Sequence, residues 1–326
     1  MAFRARKSFK VMPGVRMTVS KGGISTSAGV RGARVTRTAS GKTTRTVGLP
    51  GTGLGHTETI SGSRSAPVQA APAKPGFTAS KWEKELYKAI MGDRREDLPR
   101  IAGTYPEVGP LAAALDGFMA FADGDHARAL DVLGWAWSSG QAIEDHAFAR
   151  KYLGASTVTL GIADGVSAVL PISRDAIGLA LAELHQEAGD LDQAVTVVEA
   201  LDPSVIAAVS LAELYTLTGR YADVVDLTNG MTNDDDPTAL LVTFRGIALR
   251  EQGHPTAARE AFRDALRSRS RDAAIRHRAL VERAETYRAE GKAAMARKDF
   301  ERVLAEDSDY PGIRERLSTL DTPGPA

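Results

Sequence analysis

Six histidines and one acidic run are the side chains in this sequence whose types could support metal binding or acid–base catalysis. The histidines are His56, His126, His146, His185, His254 and His277. None of them belongs to an HExxH motif or to a pair with metal-ligand spacing. The run 233–236 reads Asn-Asp-Asp-Asp, but it lacks the alternation, the central glycine and the closing glutamate of a calcium loop. Helix capping ahead of Pro237 explains this run more simply.

Nucleophilic and nucleotide chemistry are equally poorly represented. The chain contains no cysteine, so it offers no thiolate nucleophile and no thiolate metal ligand. The glycine-rich segment 48–54 lacks the Lys and Ser/Thr of a phosphate-binding loop, and its glycines do not have dinucleotide-binding spacing. We therefore predict no catalytic residues, no cofactor and no metal, and a non-enzymatic protein.

The elements that would position any binding residues are helices in the C-terminal three quarters of the chain. Short turns occur at regularly spaced glycines, namely Gly124, Gly189, Gly219, Gly253 and Gly291. Small residues stand seven positions before each glycine, and apolar residues follow at fixed positions after it. Small residues allow two antiparallel helices to approach closely, and the larger ones lock each pair to the next. This pattern predicts a helical-hairpin repeat of about 34 residues.

This spacing resembles the tetratricopeptide repeat, with Tyr215 and Tyr287 four residues before their glycines. The resemblance implies an α-α solenoid whose first helices line a concave surface that binds partner peptides. The residues predicted to contact a partner there are Phe118, Glu183, Glu213, Ile247, Arg250, Arg278, Glu285 and Arg288. The Lys and Asn of a carboxylate clamp are absent, so we expect a partner segment with basic or hydrogen-bond donor character, although a solvated helix face explains these residues equally well.

One part of the chain departs from this repeat. Between Gly140 and Asp175 a degenerate helical pair could be centred on Gly161, but Pro171 would interrupt its second helix. The expected fold is mainly α: a tetratricopeptide-like solenoid with a small N-terminal antiparallel β domain.

The N-terminal region differs from the repeats in charge and in period. Residues 1–78 carry 13 basic residues and one acid, a net charge of +12, which the rest of the neutral chain balances with −12. Apolar and polar residues alternate from Phe3 to Leu49 between glycine turns, which favours short antiparallel strands. The predicted basic surface comprises Arg4, Arg6, Lys7, Arg16, Arg34, Arg37 and Arg45.

The same region resembles the bacterial domain of unknown function DUF4236. The resemblance rests on Phe3-Arg4, Pro13-Gly14-Val15-Arg16, the run from Ser20 to Gly29, and Val47-Gly48-Leu49-Pro50-Gly51-Thr52-Gly53-Leu54. It covers roughly the first 55 residues and implies a small β domain that is commonly N-terminal to an unrelated region. It implies no established activity.

These observations predict four segments. They are a basic β domain at 1–57, a Pro/Ala/Ser-rich flexible linker at 58–78, the helical array at 79–320 and a disordered tail at 321–326. No apolar run is long enough to span a membrane, and no secretory signal precedes the basic residues, so a soluble cytoplasmic protein is expected.

The function predicted from this organisation is a protein–protein interaction scaffold or adaptor. The alternative is binding of nucleic acid or an anionic surface by the basic N-terminal domain, for which only Phe3 and Phe9 offer aromatic stacking. The opposite charges also suggest that this domain folds back on the array.

Overall fold

The computed structural model describes residues 74–92, 94–154, 156–163 and 165–320 with their side chains, and the backbone of six earlier strands. Strands β1 to β6 pair antiparallel in chain order. They span Lys7–Met12, Val15–Ser20, Gly23–Val30, Ala33–Arg37, Thr43–Gly48 and Gly55–Ser61. That these strands form a separate basic domain stays a prediction.

Several sequence predictions lie outside the described part of the chain. They include the flexible linker between 62 and 73 and the tail at 321–326. The seven basic side chains predicted to form the N-terminal surface, from Arg4 to Arg45, also lie outside the described side chains. The four predicted segment boundaries therefore stay expectations.

The chain divides into two compact units. Unit 1 comprises Met1–Leu160 and Val169–Leu184, and unit 2 comprises Gly161–Ala168 and His185–Ala326. The helices whose residues lie wholly or mainly in unit 1 are α1 Lys81–Met91, α2 Leu98–Thr104, α3 Gly109–Asp123, α4 His126–Ser138 and α5 Arg174–Glu187. The helices of unit 2 are α6 Leu191–Glu199, α7 Val205–Leu217, α8 Tyr221–Leu227, α9 Asp236–Glu251, α10 Pro255–Ala265, α11 Ala273–Ala289, α12 Ala293–Glu306 and α13 Ile313–Thr319.

Glycines in the left-handed backbone conformation join successive helices, as the repeat pattern predicts. Gly124, Gly189, Gly219, Gly253 and Gly291 all have φ between +72° and +82°. A side chain is strained in that conformation, so glycine permits the short turn. The glycine register read from the sequence is therefore confirmed at all five turns.

Small residues allow the paired helices to approach closely. A Cβ added to Gly246 of α9 would lie 2.6 Å from the Phe262 ring of α10, and one added to Gly117 of α3 would lie 2.5 Å from Leu133 Cγ of α4. Phe262 and Phe300 are fully buried at the same position of successive hairpins. These contacts give each hairpin its core.

The segment before α5 contains strands, not the weak helical pair centred on Gly161. After a π-helical turn at Ala149–Leu153, strands β7 Thr157–Ala163 and β8 Val166–Pro171 form a two-stranded sheet. Threonine and valine are frequent here, and β-branched residues favour strands over helices. Within unit 2, the turn at Gly165 lies against α11, where an added Cβ would be 2.9 Å from Ile275.

The acidic run 233–236 caps a helix, as the sequence analysis favours. Asp235 is the N-cap of α9, and its side chain accepts a hydrogen bond from the Thr238 amide at 2.9 Å. The Thr238 hydroxyl in turn accepts from the Asp235 amide at 2.9 Å, which completes a capping box.

Candidate functional site

Each helical hairpin of unit 2 has a first helix before its turn glycine and a second helix after it. Three of the predicted partner-binding residues occupy the same position on the first helices of successive hairpins. They are Glu213 on α7, Ile247 on α9 and Glu285 on α11, each six residues before its turn glycine. Arg250, Arg278 and Arg288 lie on the same two later helices. We call the set of Glu213, Leu217, Arg250, Arg278, Glu282, Glu285 and Arg288 the inner stripe. Phe118 and Glu183 belong to unit 1.

The two apolar members of the predicted surface are core residues. Ile247 is 4% exposed and Phe118 is 7% exposed. Buried residues occur around the whole circumference of α9, including Leu240, Val242 and Phe244. Side chains that already pack inside the protein offer almost no surface to a partner, so Ile247 and Phe118 contribute to the core.

Glu282 links α9 to α11 at the centre of the inner stripe. Its Oε2 lies 2.8 Å from Arg250 Nη1, and its Oε1 lies 2.9 Å from Arg278 Nε. Arg250 also donates to the Glu282 carbonyl oxygen at 3.2 Å. Burial lowers the pKa of Arg250, but the charges of Glu282 and Glu251 and the hydrogen bonds to them together outweigh burial and raise that pKa. Glu282 is not among the residues predicted from the sequence. Its position four residues after Arg278, the spacing of a helical ion pair, is the signal that could have identified it.

Glu285 makes a second ion-pair cluster nearer the end of α11. Its Oε2 lies 2.6 Å from Arg288 Nε, and its Oε1 lies 3.4 Å from Arg316 Nε of α13. The Arg288 side chain is 53% exposed and Arg316 is 39% exposed. Glu285 therefore already has donors, and a partner would have to exchange with exposed guanidinium groups.

On α7 the inner stripe has a different character. Glu213 is half-buried, and Leu217, four residues later on the same face, is 53% exposed. An exposed leucine beside a carboxylate offers an apolar and an acidic contact together. Leu217 is not among the residues predicted from the repeat, because the residue type at this position varies from hairpin to hairpin.

The remaining polar candidates have structural contacts. His277 is buried, with Nε2 3.2 Å from Glu306 Oε2 and its ring edge-on to Tyr310. His126 stacks on Phe121. No group of three His, Cys, Asp or Glu side chains within the described ranges could hold a metal ion.

The two tryptophans of α4 lie partly at the protein surface. Trp135 is 50% exposed, and Trp137 is half-buried beneath the Arg174 guanidinium at 3.8 Å from its ring centroid.

In the part of the chain that the structure covers, no helix is long and apolar enough to cross a membrane.

Comparison with known proteins identifies the two parts of the chain separately. Residues 3–57 match the family model of DUF4236, described as a protein of unknown function. This agrees with the resemblance read from the sequence. No curated protein matches the chain.

Solved structures resemble the helical part. The N-terminal domain of the EccA1 ATPase from the ESX-1 secretion system of Mycobacterium tuberculosis matches with a TM-score of 0.50 and 17% identity, over 74% of this chain and 88% of that one. A thermophilic TPR protein of Thermus thermophilus matches with a TM-score of 0.41 and 15% identity, over 65% and 98%. The TPR2AB-domain:pHSP90 complex of yeast Sti1 matches with a TM-score of 0.31 and 11% identity, over 74% and 98%. The chain is mainly helical with tetratricopeptide-like structural neighbours.

Proposed function

We propose that this protein is a non-enzymatic interaction scaffold whose helical array binds a partner segment along the inner stripe. The observation that supports this proposal is the register of successive hairpins. In this register Glu213 of α7 and Glu285 of α11 occupy equivalent positions, as do Arg250 of α9 and Arg288 of α11, which supports a line of charged side chains along the first helices. A repeat array presents such a line as an extended surface without needing a deep pocket.

The partner segment that fits this surface is basic with at least one apolar side chain. Glu213 supplies a carboxylate beside the exposed Leu217. The ion pair of Glu285 with Arg288 joins residues three apart on one helix, and such exposed pairs contribute less than about 1 kcal/mol. A partner arginine or lysine can therefore replace Arg288 at Glu285 at small cost.

Charge reversal on the inner stripe tests this proposal. The full chain is applied to an array of short peptides that vary in charge and apolar content. The Glu213→Lys/Glu285→Lys variant should lose most of its binding to basic, leucine-containing peptides. A matched control, Asp226→Lys/Glu301→Lys, reverses two exposed carboxylates of second helices and should bind as the unaltered chain does. Equal binding by both variants would refute an inner-stripe site.

The alternative function, polyanion binding by the N-terminal region, is supported by its net charge of +12. Phosphate contacts need only lysine and arginine. A gel-shift titration of the full chain against DNA and RNA at low salt tests this alternative. Changing Arg4, Arg6 and Lys7 to glutamine should weaken any binding and reduce its dependence on salt concentration. If the unaltered chain produces no gel shift, the alternative function is refuted.

A contact between the basic N-terminal region and the acidic remainder is a further part of the proposal. Attraction between charges of +12 and −12 weakens as salt is added. Small-angle scattering should therefore show the full chain expanding between low and high salt, and a salt-independent size would argue against this contact.

A further inference from the structure

A groove lined by arginines lies on the second helices of unit 2. It has a volume of about 600 Å³. Its walls are formed by α10 and α12, and Arg283 of α11 contributes to it. The residues that line it are Glu260, Arg263, Asp264, Leu266, Arg267, Arg283 and Arg302. Four guanidinium groups and two carboxylates line the groove, and two further carboxylates, Asp299 and Glu306, pair with Arg283 and Arg302 from beside it.

Arg283 is a fixed cation in this groove. Its Nε and Nη2 each donate to Asp299 at 2.8 Å, and both side chains are largely buried. Burial lowers the pKa of Arg283, but the hydrogen bonds that it donates to Asp299 and the charge of that carboxylate outweigh burial and raise the pKa, so the group stays charged. The bidentate pair holds this guanidinium in one orientation.

The other three arginines are held loosely. Arg263 pairs with Glu260 on α10, and Arg267, just beyond the end of that helix, pairs with Asp264 at 3.4 Å. Arg302 lies 3.6 Å from Glu306, whose carboxylate is closer to Arg276, at 2.7 Å. The side chains of Arg263 and Arg267 are 74% and 66% exposed. Exposed pairs of this kind are weak, so an incoming carboxylate can replace the internal one.

We propose that this groove binds an acidic peptide segment. Arg263 lies in the last turn of α10, and Arg267 follows two residues after the helix ends at Ala265. An extended acidic segment presents carboxylates on one side about every 6.6 Å, so it can reach more than one of the arginines that line the groove. The groove is also larger than one small oxyanion requires and matches the usual range of ligand sites. Guanidinium groups bind carboxylates through paired hydrogen bonds, which favours arginine at such a site.

This site is separate from the inner stripe in position and in charge. The inner stripe lies on first helices and holds three glutamates beside three arginines, whereas the groove is formed mainly by second helices and is lined by four arginines and two carboxylates. Two surfaces of opposite preference would let one array hold two partners at once. The groove can therefore fail its test while the inner stripe passes, and the reverse also holds.

The absence of cysteine from the sequence makes a site-specific test possible. Glu301→Cys places a single label next to Arg302, on exposed surface of α12. A peptide of alternating glutamate and glycine that carries a quencher should quench this label in a saturable way. Peptide bound to the basic N-terminal region would not give a signal that depends on the groove arginines. A peptide of alternating lysine and glycine should not quench.

The decisive comparison uses two variants with the same change in charge. In the labelled protein, Arg267→Glu/Arg302→Glu should raise the apparent Kd about tenfold or more, because both rim cations become repulsive. The control Arg150→Glu/Arg314→Glu alters exposed arginines outside the groove and should change the Kd less than about twofold. Circular dichroism confirms that both variants fold. Equal Kd values for the two variants, or displacement of the peptide by equimolar inorganic phosphate, would overturn the proposal.

Discussion

The two halves of unit 2 share one helical repeat and use charge in opposite ways. Residues 185–236, which contain α6 to α8, hold eleven acids and one base, a net charge of −10. Residues 237–320, which contain α9 to α13, hold 17 bases and 13 acids, a net charge of +4. The hairpin geometry is the same in both, so charge composition is not what determines the fold.

Ion pairs join successive elements mainly in the second half. Glu282 joins α11 to α9, Asp299 joins α12 to α11, and Glu306 joins α12 to the start of α11. In the first half, among the described residues, Arg220 is the guanidinium that pairs with Glu199 and Asp223. Its apolar core residues, such as Val209 and Leu214, do the packing there.

The difference shows that apolar packing and glycine turns are sufficient for a hairpin, while charged groups are free to vary. In the second half, charged groups form ion pairs between helices. In the first half most carboxylates have no basic counterpart in the sequence, which leaves a net charge of −10. Added salt should therefore stabilise the first half by screening its self-repulsion, and it should weaken the ion pairs between helices in the second half.

The largest expected effect comes from removing the apolar residue that fills a hairpin. Phe300→Ala in the second half should cost about 3–5 kcal/mol of unfolding free energy, because the ring is fully buried. The equivalent position of the α7–α8 hairpin is Thr228, also buried, and Thr228→Ala should cost about 1 kcal/mol. Urea unfolding followed by circular dichroism measures both. Equal losses would mean that the two halves pack alike.

Breaking a buried ion pair between two helices should have the next largest effect on the free energy of unfolding. Asp299→Ala leaves the largely buried Arg283 without its bidentate partner and should cost about 3 kcal/mol. Asp223→Ala breaks the exposed pair with Arg220 in the acidic half and should cost less than about 1 kcal/mol. Thermal unfolding of both variants tests this ranking. A larger loss for Asp223→Ala would reverse the comparison.

Overfilling a close helix contact should have a smaller effect. Gly246→Ala inserts a Cβ that would lie 2.6 Å from the Phe262 ring and should cost about 1–3 kcal/mol. Ala284 occupies the same position in the next hairpin without strain, and Ala284→Gly should cost about 1 kcal/mol through lower helix propensity. Urea titration of the two variants measures the difference. A stabilising Gly246→Ala would show that Phe262 can move aside.

The smallest effect is a change in acid sensitivity. Hydrogen bonds from Arg276 and His277 lower the pKa of Glu306 from 4.5 to about 2, although partial burial opposes this. The stabilisation is therefore present above about pH 4.5 and is lost as the pH falls towards 2. Glu306→Gln should reduce the loss of stability over this interval. Unfolding midpoints measured at several pH values test it, with Asp226→Asn as an exposed control, and an unchanged pH slope would exclude this effect.

Some features of the fold follow from local sequence. The positive φ at Gly253 and the close approach at Gly246 are visible as spacing, because few residues other than glycine satisfy either requirement. The β7–β8 hairpin was harder to predict, since a short apolar stretch between helices fits a poor helix or a strand equally well. The candidate binding residues were predicted by position alone, which does not reveal whether Ile247 is covered or which arginine reaches Glu285.

The sequence by itself determined the repeat, its turns, the opposite charges of the N-terminal region and the remainder, and the resemblance of the N-terminal residues to DUF4236. These are properties of composition and of spacing within one or two helices. Tertiary structure alone decided that Ile247 is core, that Glu282 joins α9 to α11, and that four arginines line one groove. Burial and ion pairing depend on which helices become neighbours, and residues more than 30 positions apart, such as Arg250 and Glu282, meet only when the hairpins stack.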